Sequence, residues 1–228
     1  MYKRQAEVIP SYYWVAPPDD DTNVYPDGPM KGLTALPNGI MAGFTGKRIC
    51  FSEPFLPHAW PTSYRTAIED NIVGMKAVGN GLIVTTEGSP YLVAGSDPAS
   101  MSAIKIESTQ ACLSKTSMVD MGQYVIYAGA EGLVAAAGTD VQIITEGLIS
   151  PDQWQSTYYP STINATLWKG RYLGFYNTGS GFGGFIFDPR QGANALVDLD
   201  AAALIRGGFT DPDNNELYLI IGNKLMKI

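Results

Sequence analysis

Over 228 residues, 15 lysines and arginines stand against 22 aspartates and glutamates, giving a net charge of −7, and charged residues make up only 16% of the chain. An acidic chain without a dense basic run is a poor candidate to hold nucleic acid or an anionic membrane through bulk charge. A hydrophobic share of 45% argues against disorder, and there is no apolar run of about 18 residues to insert into a membrane.

The chain opens on MYKRQ, which reads as the translated end of a transposon used to build sequencing libraries. Residues 1–5 are therefore set apart from the fold, and the chain is expected to be a fragment; the alternative is an ordinary basic N-terminus. No apolar signal core follows. Residues 6–17, AEVIPSYYWVAP, read as an orphan strand. The acidic PPDDDTNVYPDG holds Asp19, Asp20, Asp21 and Asp27, but lacks the sixth-position Gly and twelfth-position Glu of a calcium loop, so it is expected to be a solvated loop.

From here the chain repeats itself. NGIMAGFTGKRICFSE from Asn38 reads as strand, Gly-containing turn, strand. So do NGLIVTTEGSPYLVAG from Asn80, GQYVIYAGAEGLVAAAG from Gly122, GRYLGFYNTGSGFGGFIFD from Gly170 and NNELYLIIGNKLMKI from Asn214. The anchors Gly39, Gly81, Gly122, Gly170 and Asn215 are 42, 41, 48 and 45 residues apart. That period belongs to the blades of a β-propeller.

Short apolar segments flank each hairpin. GLTAL, IVGMKAV, SMVDM, TINATLW and ALIRGGF precede it; SYRTAIED, SAIKIES, DVQIITEG and ALVDL follow the first four. The predicted fold is all-β: one β-propeller domain over residues 6–228, of four-stranded antiparallel blades near 30–70, 71–111, 112–150, 160–200 and 201–228. The last blade lacks its final strand. Either about five blades close into a ring, with residues 6–17 completing the last, or the chain is part of a larger ring. Asn38-Gly39 and Asn80-Gly81 predict tight turns with positive φ, and Glu131-Gly132 and Gly222-Asn223 can do similar work. PASMSA and PDQWQSTY predict single helical turns. The small residues of LVAAAG and GGFIF predict tight packing near the central channel.

Cys50 and Cys112 read as separate buried thiols, although spacing alone does not decide whether they pair. No metal or cofactor motif is present, so no cofactor is expected. The glycine-rich GSGFGG joins two strands instead of opening a helix, which excludes a phosphate cradle. DPDNNE, residues 211–216, reads as a turn before a cation site. The sole histidine, His58, could join Glu53 and Trp60 in a cluster on a rim loop, but no nucleophile accompanies it. Asp152 and Trp154, in LISPDQWQ, are read as occupying the corresponding place in a later unit, which makes both loops structural anchors and rim or interface candidates. No catalytic residue is assigned.

The phrases KRICFSEPFLPHAWP, GLIVTTEGSPYLVAGSDP, QACLSKTSMVDMGQYVIYAGAEGLV and GRYLGFYNTGSGFGGFIFDP resemble a propeller-containing structural protein of tailed bacteriophages, over residues 47–228. The resemblance implies a non-enzymatic virion component of the tail or its adaptor region, made in the bacterial cytoplasm. Its expected partners are other virion proteins or copies of itself, with a host-surface glycan as a further ligand and neither nucleic acid nor membrane insertion. Two alternatives remain. A carbohydrate-binding or glycoside-hydrolysing propeller would gather carboxylates such as Glu53, Asp97, Glu131 and Asp152 at one mouth of the channel, with Tyr12, Tyr13, Trp14, Tyr158 and Tyr159 as a sugar platform. A cellular propeller would act as an interaction platform in an envelope complex.

Overall fold

A computed structural model describes residues 30–228. Residues 1–5, the orphan strand 6–17 and the aspartate-rich segment lie outside the described residues. Within them the fold is all-β, in five antiparallel sheets taken in chain order. The first sheet is β1 (Lys31–Ala35), β2 (Met41–Thr45), β3 (Arg48–Phe51) and β4 (Arg65–Ala67). The second is β5 (Ile72–Val78), β6 (Gly81–Thr86), β7 (Tyr91–Ala94) and β8 (Ser102–Lys105). The third is β9 (Val119–Asp120), β10 (Val125–Ala128), β11 (Leu133–Ala137) and β12 (Asp140–Ile143). The fourth is β13 (Asn164–Trp168), β14 (Arg171–Asn177), β15 (Phe182–Phe187) and β16 (Leu196–Asp200). The fifth has three strands, β17 (Ile205–Thr210), β18 (Leu217–Ile221) and β19 (Lys224–Lys227). Every flanking segment expected from the sequence lies at a strand, although SMVDM contributes only two residues and SYRTAIED three.

The first strands of successive sheets adjoin one another, β1 to β5, β5 to β9, β9 to β13 and β13 to β17. They form the axis of a propeller, and the later strands of each sheet radiate outward. The core is accordingly a series of seams between neighbouring sheets. Phe44, Ile49 and Phe51 meet Met75, Leu82 and Val84 in the first seam. Ile83 meets Val125, Tyr127 and Val134 in the second, and Leu173 and Phe175 meet Leu217 and Leu219 in the fourth. Inner strands buried on both faces explain the runs of apolar residues: all six residues of β6 and all four of β10 are buried.

The turn ahead of each hairpin shows why glycine recurs there. Gly39, Gly122 and Gly170 hold φ of +79°, +94° and +76°, and Asn215 holds +58° in the last repeat. Asn is the side-chain-bearing residue that best tolerates this left-handed conformation. The second repeat departs from expectation, because its positive φ falls at Gly79, at +56°, and not at Gly81. Gly81 instead begins β6, where a Cβ would lie 2.9 Å from the Val93 carbonyl oxygen. The small residues of LVAAAG and GGFIF also behave differently from the sequence reading. They lie in β11 and β15, the third strands of their sheets, away from the axis. In β15 the close packing is against the aromatic rings of β14: a Cβ on Gly183 would fall 2.3 Å from Tyr176.

PASMSA contains the expected short turn, a 3-10 turn at Pro98–Ser100 capped by Asp97. PDQWQSTY is longer than one turn: it forms helix α1 (Pro151–Tyr158), capped by the Ser150 side chain accepting from the Gln153 N–H. The reason is tertiary. Trp154 and Tyr158, four residues apart, share one helix face and drive into the third seam. There they pack with Ile126, Leu133, Tyr172 and Phe185. Cys50 and Cys112 are both buried and are not joined in a disulfide.

Candidate functional site

Antiparallel strand order gives the propeller two faces. Turns between first and second strands, and between third and fourth, emerge on one face, here the turn face. Hairpins between second and third strands, and the links from one sheet to the next, emerge on the other, the connection face. This rule sorts the residues singled out in the sequence.

Glu53, His58 and Trp60 belong to the β3–β4 link, on the turn face. His58 is exposed, whereas Trp60 is buried and its indole N–H donates to the Pro57 carbonyl at 2.9 Å. Glu53 accepts from the Tyr64 hydroxyl at 3.3 Å and closes the loop through a bridge with Leu56. Asp152 and Trp154 belong to the link from the third sheet to the fourth, on the connection face. The two tryptophan loops therefore do not occupy corresponding places; they lie at opposite ends of the sheets. Their anchoring also differs. Trp60 bonds within its own loop, while Trp154, fully buried, donates at 2.9 Å to the Gly129 carbonyl in the β10–β11 turn, 25 residues away. Asp152 is exposed on the first turn of α1.

The four carboxylates proposed for sugar chemistry are not gathered at one mouth. Glu53 and Asp97, in links between third and fourth strands, lie on the turn face, and Glu131 and Asp152 lie on the connection face. Glu131 instead shares a crevice of about 430 Å³ with Glu146, beside the start of α1. Of the proposed aromatic platform, Tyr158 packs inside the third seam and Tyr159 is partly exposed at the helix end. Tyr12, Tyr13 and Trp14 lie outside the described residues.

Three buried tyrosine hydroxyls are held by internal partners. Tyr127, Tyr158 and Tyr172 donate to the Gln110 carbonyl, an Asp198 carboxylate oxygen and the Ser117 carbonyl at 2.8, 2.7 and 2.9 Å, and burial pushes all three phenols well above their usual range. Burial likewise pushes the Cys112 thiol up, which disfavours the reactive thiolate. At the β15–β16 turn, Asp188 accepts from Arg190 at 2.7 and 2.9 Å and from Arg171 at 2.9 Å. These guanidinium groups, Arg190 foremost, hold its carboxyl well below the usual carboxylate range. This is a structural clamp across a tight turn. Among the described residues no group of three or more His, Cys, Asp or Glu side chains is placed to hold a metal, and no helix is long and apolar enough to cross a membrane.

Two features not singled out in the sequence stand out in the structure. The first is a cavity of about 640 Å³ at the axis on the connection face, lined by β1, the start of β5 and the turn ahead of β9. It brings Lys31, Lys76 and Lys115 together from three repeats. The second is the outer face of the fifth sheet. Phe209 pairs with Tyr218 and Ile220 with Leu225, so these four share one face, opposite the Leu217 and Leu219 that pack on the fourth sheet. Phe209, Ile220 and Leu225 are 60%, 42% and 69% exposed.

No protein-family model and no curated protein matches the sequence. Solved structures do. Virginiamycin B lyase from Staphylococcus aureus matches with a TM-score of 0.59 at 10% identity, over 89% of this chain and 67% of that one. A streptogramin B lyase matches at 0.54 and 11% identity, over 87% and 64%. The N-terminal domain of Nup159 matches at 0.53 and 10% identity, over 87% and 60%. The chain thus spans about two thirds or less of the length of these structures. The protein is a β-propeller. At such identities the likeness carries the fold alone, and the neighbours, two lyases and a nucleoporin domain, share no single activity.

Proposed function

We propose that this chain is a non-enzymatic propeller scaffold that assembles with further copies of itself, as a structural component of a tailed-phage virion. The observation that carries the reading is the outer face of the fifth sheet. Between all other adjacent sheets, faces of this composition are buried against one another in seams. Phe209, Tyr218, Ile220 and Leu225 form an equivalent face without a sheet against it among the described residues. An apolar face of this kind marks a contact surface, and a further copy of the chain is the partner proposed for it. The phage assignment rests on the sequence phrases that resemble tail-region propeller proteins.

Light scattering on the whole chain tests the assembly. The expected result is a discrete oligomer that falls to monomer mass in Leu225→Asp, with β-rich circular dichroism retained. A wild-type chain that stays monomeric at ~100 µM would overturn the reading. Peptides of this chain recovered from purified phage particles would support the virion assignment, and their consistent absence would remove it.

A further inference from the structure

The axial cavity carries an inference independent of the assembly reading. In a protein of net charge −7, it gathers three lysines against one carboxylate, Glu87. That carboxylate is already engaged, accepting from the Asn71 side-chain amide at 2.9 Å. None of Lys31, Lys76 and Lys115 takes part in an ion pair among the described residues, whereas Lys105 and Lys227 pair with Glu69 and Glu216. Among the described residues the cavity is therefore locally positive.

The backbone that carries these lysines is held in place. Lys115 sits in a turn held by its neighbours on both sides: the Ser114 and Thr116 hydroxyls both donate to the Ile163 carbonyl, at 2.7 and 2.9 Å. Lys76 projects from the middle of an inner strand and Lys31 from the start of another. Phe44, Met75 and Met118, each almost wholly buried, also border the cavity and supply its apolar lining. A volume of about 640 Å³ lies within the range of small-molecule pockets.

Lysines act as compact point charges and suit an oxyanion with several equivalent acceptor oxygens; planar two-pronged recognition of a carboxylate is the province of arginine. We propose that the axial cavity binds a small phosphate monoester with an apolar body, its phosphate set among Lys31, Lys76 and Lys115 and its body laid against Phe44, Met75 and Met118.

Calorimetric titration of the whole chain with phenyl phosphate at low ionic strength tests this, with phenol and inorganic phosphate as comparison ligands. Saturable binding is expected for phenyl phosphate, at least about fivefold weaker in Lys76→Gln and in Lys115→Gln, and weakened by added salt. Lys224→Gln, on the exposed β19, should bind as wild type. Absence of saturable binding would sink the proposal, as would full affinity in both cavity variants. Phenol binding as tightly as phenyl phosphate would remove the role of the lysines. Inorganic phosphate binding as tightly would remove the role of the apolar lining. Circular dichroism of each variant separates loss of the site from loss of the fold.

Discussion

Replacing Trp154 by alanine asks directly whether α1 wedges the third and fourth sheets together. The indole is fully buried, 5.4 Å from the Tyr158 ring and 5.9 Å, edge-on, from Phe185. An aromatic side chain of this kind buries about 150–250 Å². At ~25 cal/mol per Å² that gives roughly 4–6 kcal/mol, against about 3–5 kcal/mol for measured large-to-alanine changes in cores. The Gly129 carbonyl also loses its donor. With ~4 kcal/mol as the central value and about 2–4 °C per kcal/mol for a domain of this size, Tm should drop by roughly 8–16 °C. Trp154→Phe keeps most of the packing and forfeits the N–H, so it should cost about 1–2 kcal/mol. Urea and thermal unfolding followed by circular dichroism read both, and hydrogen exchange over residues 151–158 should rise in the alanine variant. Trp60→Ala is the control: its indole is also buried but bonds only three residues away within one loop, so its loss should leave hydrogen exchange over residues 151–158 unchanged. A Trp154→Ala midpoint within ~1 kcal/mol of wild type would refute the wedge.

Asp188 makes the stability depend on acid. Its carboxyl, lowered by Arg190 and Arg171, contributes stability that is present above the unfolded carboxylate range and is lost as pH falls through the lower folded value. Asp188→Asn should therefore lower the urea midpoint at pH 7, with the gap from wild type closing as pH drops below about 4; a gap independent of pH would contradict the clamp. Asn215 occupies the left-handed position that glycine holds in three other repeats. Asn215→Val should cost about 1–2 kcal/mol while Asn215→Gly stays near wild type; equal stability of all three proteins would show the turn to be unstrained.

The sequence by itself determined the repeat, the hairpins and the fold class. Strand alternation and turn chemistry are local, and the Gly or Asn ahead of each hairpin meets a φ requirement of its own few residues. It also placed the strand–turn–strand unit of the last sheet, which has three strands among the described residues. Tertiary structure alone decided which strands form the axis, so LVAAAG and GGFIF, legible as small and tightly packed, were placed away from it. It decided which face each loop leaves by, separating Glu53 and Asp97 from Glu131 and Asp152 and setting the loops of Trp60 and Trp154 at opposite ends. It lengthened PDQWQSTY into a helix, because the seam between two sheets offered Trp154 and Tyr158 a place to be buried. Lys31, Lys76 and Lys115 are unremarked as isolated residues in three repeats. They become a cavity because the propeller fold sets successive first strands side by side, a proximity that no local pattern encodes.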